Sequence, residues 1–181
     1  MDKNMEKEIM TDFDTEISKH DGFSISEQGN LLFEECSLEE LAKIYGTPCY
    51  IYSENIIRKS SREYIRAFEK CNIDYEVLYA GKAFLVQALA HILKEECLSL
   101  DASSGGEIYM ALAGGFPAEK IHFHGNNKSE EELVFAIENN VGTIIIDNFH
   151  ELNLVDRITH RLNKKVNIMV RTIPGVDTHT H

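Results

Sequence analysis

The sequence predicts an α/β fold on a parallel sheet, of the (β/α)8 barrel type but with about five of the eight strands. Short apolar runs begin near residues 75, 98, 121, 143 and 167, at a steady spacing of 22 to 24 residues. A helical pattern lies between successive runs, and a strand–helix–strand repeat of this length forms parallel sheets with right-handed crossovers. The runs are almost continuously apolar, which is typical of strands covered on both faces.

Two architectures fit this repeat, a (β/α)8 barrel and an open doubly wound sheet. No G-x-G-x-x-G motif follows the first strand, which disfavours the dinucleotide-binding version of the open sheet. A barrel needs three more repeats, which is about 70 residues beyond His181. If the sheet is a barrel, we expect an incomplete domain with an unpaired parallel sheet edge.

The chain is predicted to have three parts. Residues 1–21 are acidic and weakly patterned, so we expect a flexible extension. Residues 22–46 form a lead-in segment with a short helix that is capped by Ser37 and ends at Gly46. Residues 47–181 form the barrel part, which starts with a strand at 48–52 and a long amphipathic helix capped by Ser53.

The regular elements follow in order along the barrel part. The predicted strands cover residues 75–80, 97–101, 121–124, 143–147 and 166–171. The predicted helices between them cover residues 84–95 and 106–113, a segment capped by Ser129 with Glu132 completing a capping box, and residues 149–162. A run of three glutamates at 130–132 suits the positive end of that third helix, so we assign it a structural role.

Composition and charge exclude several classes of function. The chain carries 18 Lys and Arg against 30 Asp and Glu, so its net charge of −12 disfavours nucleic acids and anionic membranes as partners. The N-terminus lacks the pattern of a secretory signal, and no apolar run is long enough to span a bilayer. We predict a cytoplasmic protein whose four cysteines, none in a C-x-x-C pair, are buried and reduced.

Ionisable residues follow all five predicted strands, at the edge where parallel α/β sheets carry their chemistry. They are Lys82, Asp101, His124, Asp147 and Arg171. Polar loops alone could account for them. If they converge, a lysine among apolar neighbours would be a good nucleophile, as Schiff-base chemistry requires. A carboxylate and an arginine nearby would balance charge on a bound cofactor.

Two further features near the strand ends leave alternatives open. Residues 103–106, Ser-Ser-Gly-Gly, stand at a helix start and either bind an anion through free amides or allow a tight turn. Asp101 either contacts a ligand or caps that helix. His122, His124, His179 and His181 are not expected to bind a metal, and we expect the first two to lie on opposite faces of their strand.

Four segments resemble the diaminopimelate decarboxylase family, pyridoxal-phosphate enzymes with the alanine-racemase-like fold. These segments, in the family's order, are YAGKAF (79–84), DASSGGE (101–107), FHGNNKS (123–129) and PGVDTHTH (174–181). The resemblance covers roughly residues 22–181. The third and fourth segments point to this family rather than to its ornithine and arginine decarboxylase relatives.

The resemblance implies a fold, a cofactor and site residues. It implies a (β/α)8 barrel followed by a β-domain, against which the lead-in segment would pack. Lys82 would bind pyridoxal 5′-phosphate covalently, with Asp101 beside the cofactor, Glu107 and Arg171 in its surroundings and His124 at the rim of the pocket. In the family, other residues that hold the cofactor lie beyond the position of His181, so we expect this chain alone to be inactive and poorly soluble. The family's active site is shared between two subunits of a homodimer.

The implied activity is the decarboxylation of meso-2,6-diaminopimelate to L-lysine, the last step of lysine biosynthesis. Other functions stay open from the residues. One is a related pyridoxal-phosphate decarboxylase of the ornithine, arginine or carboxynorspermidine type, or a racemase using the same lysine. Another is a non-catalytic truncated module that binds a partner through the open edge of its sheet.

Overall fold

A computed structural model of the chain describes residues 21–172 and residue 175. The chain divides into two compact units, and the boundary falls between Ser60 and Ser61. The predicted extension lies outside the described residues except for Asp21, as does the PGVDTHTH segment except for Gly175. The predicted division at residues 46 and 47 stays a prediction.

Among the described residues, the first unit contains a small antiparallel meander, one complete helix and the start of a second helix. Strands β1 (Phe23–Ile25), β2 (Leu31–Phe33) and β3 (Cys36–Ser37) pair in that order, and α1 (Leu38–Tyr45) follows directly. The Ser37 hydroxyl accepts a hydrogen bond from the Glu40 amide, and the helix ends at Gly46, whose φ is 79°. Because Gly46 has no Cβ, it adopts this positive φ without steric cost. The predicted bounds of this helix are confirmed.

The strand predicted at residues 48–52 is wrong. This stretch has no regular secondary structure, and Tyr50 within it is 92% exposed. Its β-branched and aromatic residues give it only a local preference for the extended conformation. A strand also needs a neighbouring strand to pair its backbone groups. Within residues 21–172, no segment pairs with it. The helix capped by Ser53 does form, as α2 (Glu54–Glu69).

The second unit contains the repeats that the spacing predicts. Its elements are β4 (Leu78–Ala80), α3 (Gln87–Glu95), β5 (Ser99–Ala102), α4 (Gly105–Ala113), β6 (Ile121–Phe123), α5 (Glu130–Glu138), β7 (Thr143–Ile146), α6 (Phe149–Leu162) and β8 (Asn167–Val170). Helix α3 begins three residues later than predicted, after a 3₁₀ turn at Gly81–Ala83. The capping box of Ser129 and Glu132 is present as predicted.

The five strands form one parallel sheet in the order β4-β5-β6-β7-β8. Chain order and sheet order therefore agree, as in a (β/α) barrel, where each strand lies beside the preceding one. Strands β4 and β8 are the edges of the described sheet. β8 is an unpaired edge in the described residues, as expected, and its side chains of Ile168, Met169 and Val170 are exposed.

The core lies between one face of this sheet and the helices. Leu100 and Ala102 in β5 are fully buried, whereas Asp101 between them is partly exposed, so the polar residue lies on the opposite face. Fully buried helical residues meet the apolar strand face, among them Leu93, Ile108, Leu133 and Ile158. Complete burial of both strand faces, expected from the sequence, is thus not seen in this sheet.

Two other expectations concern the surface. All four cysteines are unpaired and exposed, so the prediction of buried thiols is wrong in its burial. Cys97, for example, is exposed in the short connection between α3 and β5. None of the helices in the described residues is long and apolar enough to cross a membrane.

Candidate active site

Lys82 stands directly beyond the carboxyl end of β4. The chain leaves the strand at Ala80 and enters the 3₁₀ turn, which the Tyr79 hydroxyl supports by donating a hydrogen bond to the Phe84 carbonyl over 2.8 Å. The Lys82 side chain is exposed, and its ammonium makes no ion pair or hydrogen bond with another described residue. Lys82 is thus not enclosed by apolar neighbours among the described residues, because β4 is an edge strand with no described element on its outer side.

Glu107 lies against the turn that carries Lys82. Its Oε2 atom accepts a hydrogen bond from the Ser103 amide over 2.9 Å. The same atom would be 2.8 Å from a Cβ placed on Gly81, too close for any side chain larger than hydrogen. Gly81 therefore lets the loop after β5 approach the Lys82 turn, with the Glu107 carboxylate between them.

Asp101 carries a buried oxygen without a hydrogen-bond partner. It pairs in register with Ala80 of the neighbouring strand, so it lies beside the start of the Lys82 turn. Its Oδ1 atom is buried and accepts no hydrogen bond within the described structure. His124 Nδ1 is 3.7 Å away, which is beyond hydrogen-bond distance. A buried acceptor left unpaired costs free energy, so this oxygen suits a ligand that brings a donor.

Arg171 lies at the other edge of the sheet. Its guanidinium donates a hydrogen bond to Asp147 Oδ1 over 3.0 Å, and its backbone amide donates to the Ile146 carbonyl. Four strand spacings separate the ends of β4 and β8, which is about 19 Å measured along the sheet. The structure thus groups Lys82, Asp101, Glu107 and His124, and it leaves Arg171 apart on the same rim.

The amides at the start of α4 are occupied by the chain's own carboxylates. Glu132 Oε1 accepts from the Gly105 amide over 2.8 Å, and Glu107 takes the Ser103 amide. The Ser103 and Gly105 amides are therefore not free for an external anion, which favours the tight-turn alternative for residues 103–106. The alternative that Asp101 caps α4 is wrong, since the Ser104 side chain is the cap.

Glu132 serves the starts of two helices at once. While Oε1 binds Gly105, Oε2 accepts from the Ser129 amide in the capping box of α5. Burial is the largest influence on its pKa and raises it, but the hydrogen bonds from Gly105 and Ser129 together outweigh it and leave the pKa lowered. The structural role predicted for the 130–132 glutamates is confirmed. Glu132 also binds the Gly105 amide at the start of α4, which the sequence did not indicate.

Lys128 and Glu151 form a buried ion pair that the sequence did not single out. Their side chains are 1% and 6% exposed, and Lys128 Nζ lies 2.9 Å from Glu151 Oε1. Lys128 stands in the FHGNNKS segment, but nothing in a polar loop sequence distinguishes a buried lysine from a solvated one. A single lysine and a single glutamate 23 positions apart carry no local signal for pairing.

His122 and His124 have separate partners and lie on the same side of their strand. His122 Nε2 is 3.1 Å from Glu76 Oε2, and the Ser99 hydroxyl donates to the other Glu76 oxygen. The Ser99 hydrogen bond, followed by the charge and hydrogen bond of His122, lowers the pKa of Glu76. Residues two apart on a strand share a face, so the expectation of opposite faces is wrong. Within the described ranges, no three His, Cys, Asp or Glu side chains cluster as metal ligands.

Lys82, Asp101 and Glu107 follow neighbouring strands at one rim of a (β/α) barrel sheet, the edge at which barrel enzymes carry their active sites. The family model described as "Pyridoxal-dependent decarboxylase, pyridoxal binding domain" matches residues 54–181. The chain belongs to this family of pyridoxal-dependent decarboxylases.

Similar proteins agree with this assignment. The chain is 47% identical over 162 residues to the diaminopimelate decarboxylase of Bacillus methanolicus, covering 90% of the chain and 38% of that protein. It is 46% identical over 141 residues to that of Bacillus subtilis, covering 78% and 32%. A crystal structure of diaminopimelate decarboxylase from M. jannaschii matches with a TM-score of 0.80 at 33% identity, over 89% of the chain and 38% of that structure.

These matches confirm the barrel type of the fold, here as an incomplete α/β barrel with five strands. The chain spans between 32% and 38% of the length of these relatives. The roles of Lys82, Asp101, Glu107, His124 and Arg171 stay predictions.

Proposed function

We propose that this chain contributes the lysine-bearing part of a pyridoxal-phosphate decarboxylase that converts meso-2,6-diaminopimelate to L-lysine. One observation carries the proposal: the exposed Lys82 follows Ala80, the register partner of Asp101, and Asp101 carries a buried oxygen without a hydrogen-bond partner at the same carboxyl rim of the sheet. The relatives named diaminopimelate decarboxylase support it, as do two structures of such enzymes that hold L-lysine.

The residues present fit pyridoxal phosphate in two respects. Lys82 offers an amine without a competing partner among the described residues, as covalent binding of an aldehyde requires. Asp101 offers a buried acceptor that lacks a donor, and Gly81 leaves room for the carboxylate of Glu107 rather than for a side chain of its own. When bound, pyridoxal phosphate acts as an electron sink for the bond that breaks at the substrate's α-carbon.

The chain's own residues then have separable tasks. Lys82 Nζ would hold the cofactor and, when released, could carry a proton for the reaction. Asp101 would accept a hydrogen bond from a donor group of the bound molecule, while Glu107 is held by the Ser103 amide next to Gly81 of the Lys82 turn. Arg171 supplies positive charge that Asp147 partly balances. His124 lies next to Asp101 at the same rim of the sheet.

The Lys82 assignment is tested by trapping. The full 181-residue chain is incubated with pyridoxal phosphate, reduced with borohydride, digested and analysed by mass spectrometry. We expect the reduced adduct on the peptide that contains Lys82 and its loss in Lys82→Ala. Lys94→Ala is the matched control, because Lys94 is also an exposed lysine but lies in the last turn of α3. An adduct that persists in Lys82→Ala contradicts the assignment.

The substrate assignment needs a separate measurement. The protein isolated from its source is given meso-diaminopimelate, ornithine, arginine and carboxynorspermidine, and carbon dioxide release is followed. We expect release from meso-diaminopimelate to be fastest by a wide margin. Faster release from ornithine or arginine would assign the chain to the related decarboxylases instead, and turnover without carbon dioxide would indicate a racemase.

The proposal includes a homodimer in the cytoplasm, with a small amino acid as the substrate and no nucleic acid or membrane partner. The resemblance supports the dimer. The net charge of −12 supports the exclusion of nucleic acids and anionic membranes as partners. Sedimentation of the protein from its source tests the dimer, and cell fractionation tests the location.

A further inference from the structure

In the buried ion pair of Lys128 and Glu151, all three N–H donors of the Lys128 ammonium have an acceptor. Besides Glu151 Oε1, Lys128 Nζ donates to the Gly125 carbonyl over 2.6 Å and to the Ile145 carbonyl over 2.8 Å. An ammonium has three N–H donors, so the set is complete. Lys128 thereby joins the loop after β6 to strand β7.

Glu151 connects Lys128 to the residue that follows β7. Its second oxygen, Oε2, accepts a hydrogen bond from the Asp147 amide over 2.8 Å. Its own amide donates to the Asn148 side chain, which caps α6. The first turn of α6 is thus tied to the residue that immediately follows β7, and the backbone of Asp147 has one defined orientation.

Asp147 extends the connection to Arg171. The Asp147 carboxylate accepts from the Arg171 guanidinium over 3.0 Å, and the Arg171 amide donates to the Ile146 carbonyl. Lys128, Glu151, Asp147 and Arg171 form one continuous series of polar contacts, which we call the rim network. It links the ends of β6, β7 and β8.

We propose that Lys128 and Glu151 are positioning residues, which hold Asp147 and through it the Arg171 guanidinium at the rim that carries Lys82 and Asp101. That Arg171 serves the cofactor rests on the proposed function, whereas the positioning of Arg171 does not. A buried ion pair stabilises a fold no better than apolar side chains of similar volume. What apolar side chains cannot supply is a directed acceptor for the Asp147 amide.

The test uses three variants of the full chain without cofactor. Lys128→Met with Glu151→Leu fills the volume but removes the acceptor. Lys128→Met with Glu151→Gln removes the charges but keeps an oxygen for the Asp147 amide. Ile158→Ala opens a cavity in the core of α6 without touching the rim network, and it controls for loss of stability. Circular dichroism and urea unfolding establish that each variant is folded.

Two measurements report on positioning. Hydrogen exchange of the Asp147 amide reports on the Glu151 contact, and phenylglyoxal modification of Arg171, measured relative to Arg161, reports on the Asp147 ion pair. In the Met/Leu variant we expect protection of the amide to fall about tenfold, as for the loss of one hydrogen bond. We expect Arg171 to react about two- to fivefold faster, the range that a half-exposed ion pair supports.

The variant with Lys128→Met and Glu151→Gln should restore both measurements to near the wild-type values. Ile158→Ala should change neither measurement beyond the change that its lower overall stability produces. If the folded Met/Leu variant protects Asp147 and Arg171 as the wild type does, or if Ile158→Ala changes them equally, the proposal is overturned. These measurements need no cofactor, so they decide the proposal even if trapping at Lys82 fails.

Discussion

Replacing Lys128 by methionine should destabilise the fold severely. The Glu151 carboxylate, 6% exposed, would lose its cation, and the carbonyls of Gly125 and Ile145 would lose their donor. Removing one partner of a buried ion pair costs about 3–5 kcal/mol. A domain of this size is stable by only about 5–15 kcal/mol in total. Glu151→Leu should cost a similar amount, because it leaves the Lys128 ammonium buried and uncompensated.

The double replacement should be much milder than the sum of the two singles. With both charges gone, the apolar side chains fill the same volume, and such exchanges are often close to neutral. The Asp147 amide and the Gly125 and Ile145 carbonyls are left unpaired, but all three residues are partly exposed. We therefore expect each to cost about 1 kcal/mol and the double variant to lie within about 3 kcal/mol of the wild type. The cycle then yields a coupling of at least about 3 kcal/mol between Lys128 and Glu151.

The assay is urea unfolding of the full chain at neutral pH, kept dilute because the β8 edge is exposed. Arg161 and Glu130 provide the matched control, since this pair likewise ends on α6, joining it to α5, but is about half exposed. Each of Arg161→Met and Glu130→Leu should change the stability by about 1 kcal/mol or less. Additive losses in the Lys128 and Glu151 cycle, or single losses as small as the control's, would refute the reasoning.

Three other replacements test separate contacts. Glu132→Ala removes acceptors of the Gly105 and Ser129 amides and should cost about 1 kcal/mol. Because the fold lowers the pKa of Glu132, this difference should persist above pH 4.5 and shrink as pH falls below it, which urea unfolding at several pH values measures. Gly142→Ala places a Cβ 2.0 Å from the Glu119 carbonyl oxygen and should lower the urea midpoint through a cost of about 1–3 kcal/mol, whereas Gly106→Ala, with 3.8 Å of clearance, should not lower it. Gly81→Ala should displace the Glu107 carboxylate. We expect it to reduce the yield of borohydride trapping at Lys82 clearly while changing the urea midpoint little.

The repeat itself was predictable because its signals are local. A capping box needs only Ser129 and Glu132 three positions apart, and an apolar run with a fixed period reports its strand without knowledge of the neighbours. The α6 bounds, Phe149–Leu162, agree with the prediction for the same reason. The strand expected at 48–52 failed because pairing requires a second segment that local composition does not specify.

The candidate site was predictable only in part. That Lys82, Asp101, His124 and Arg171 share one rim follows from parallel strands, whose carboxyl ends all lie on one side. Which of them meet depends on the loops: Glu107 reaches Gly81, Asp147 takes Arg171, and Glu132 occupies the amide of Gly105. Such contacts join residues that are 24 to 27 positions apart, as in the last two cases.

By itself, the sequence determined the α/β repeat, the caps, the acidic surface and the segments that carry the family resemblance, because each depends on near neighbours or on composition. The tertiary structure decided that Lys82 is exposed, that Asp101 keeps a buried oxygen without a partner, and that Lys128 and Glu151 are buried together. Burial and long-range pairing are properties of the space that the packed elements enclose, and a side chain's charge or type does not reveal them before the elements meet.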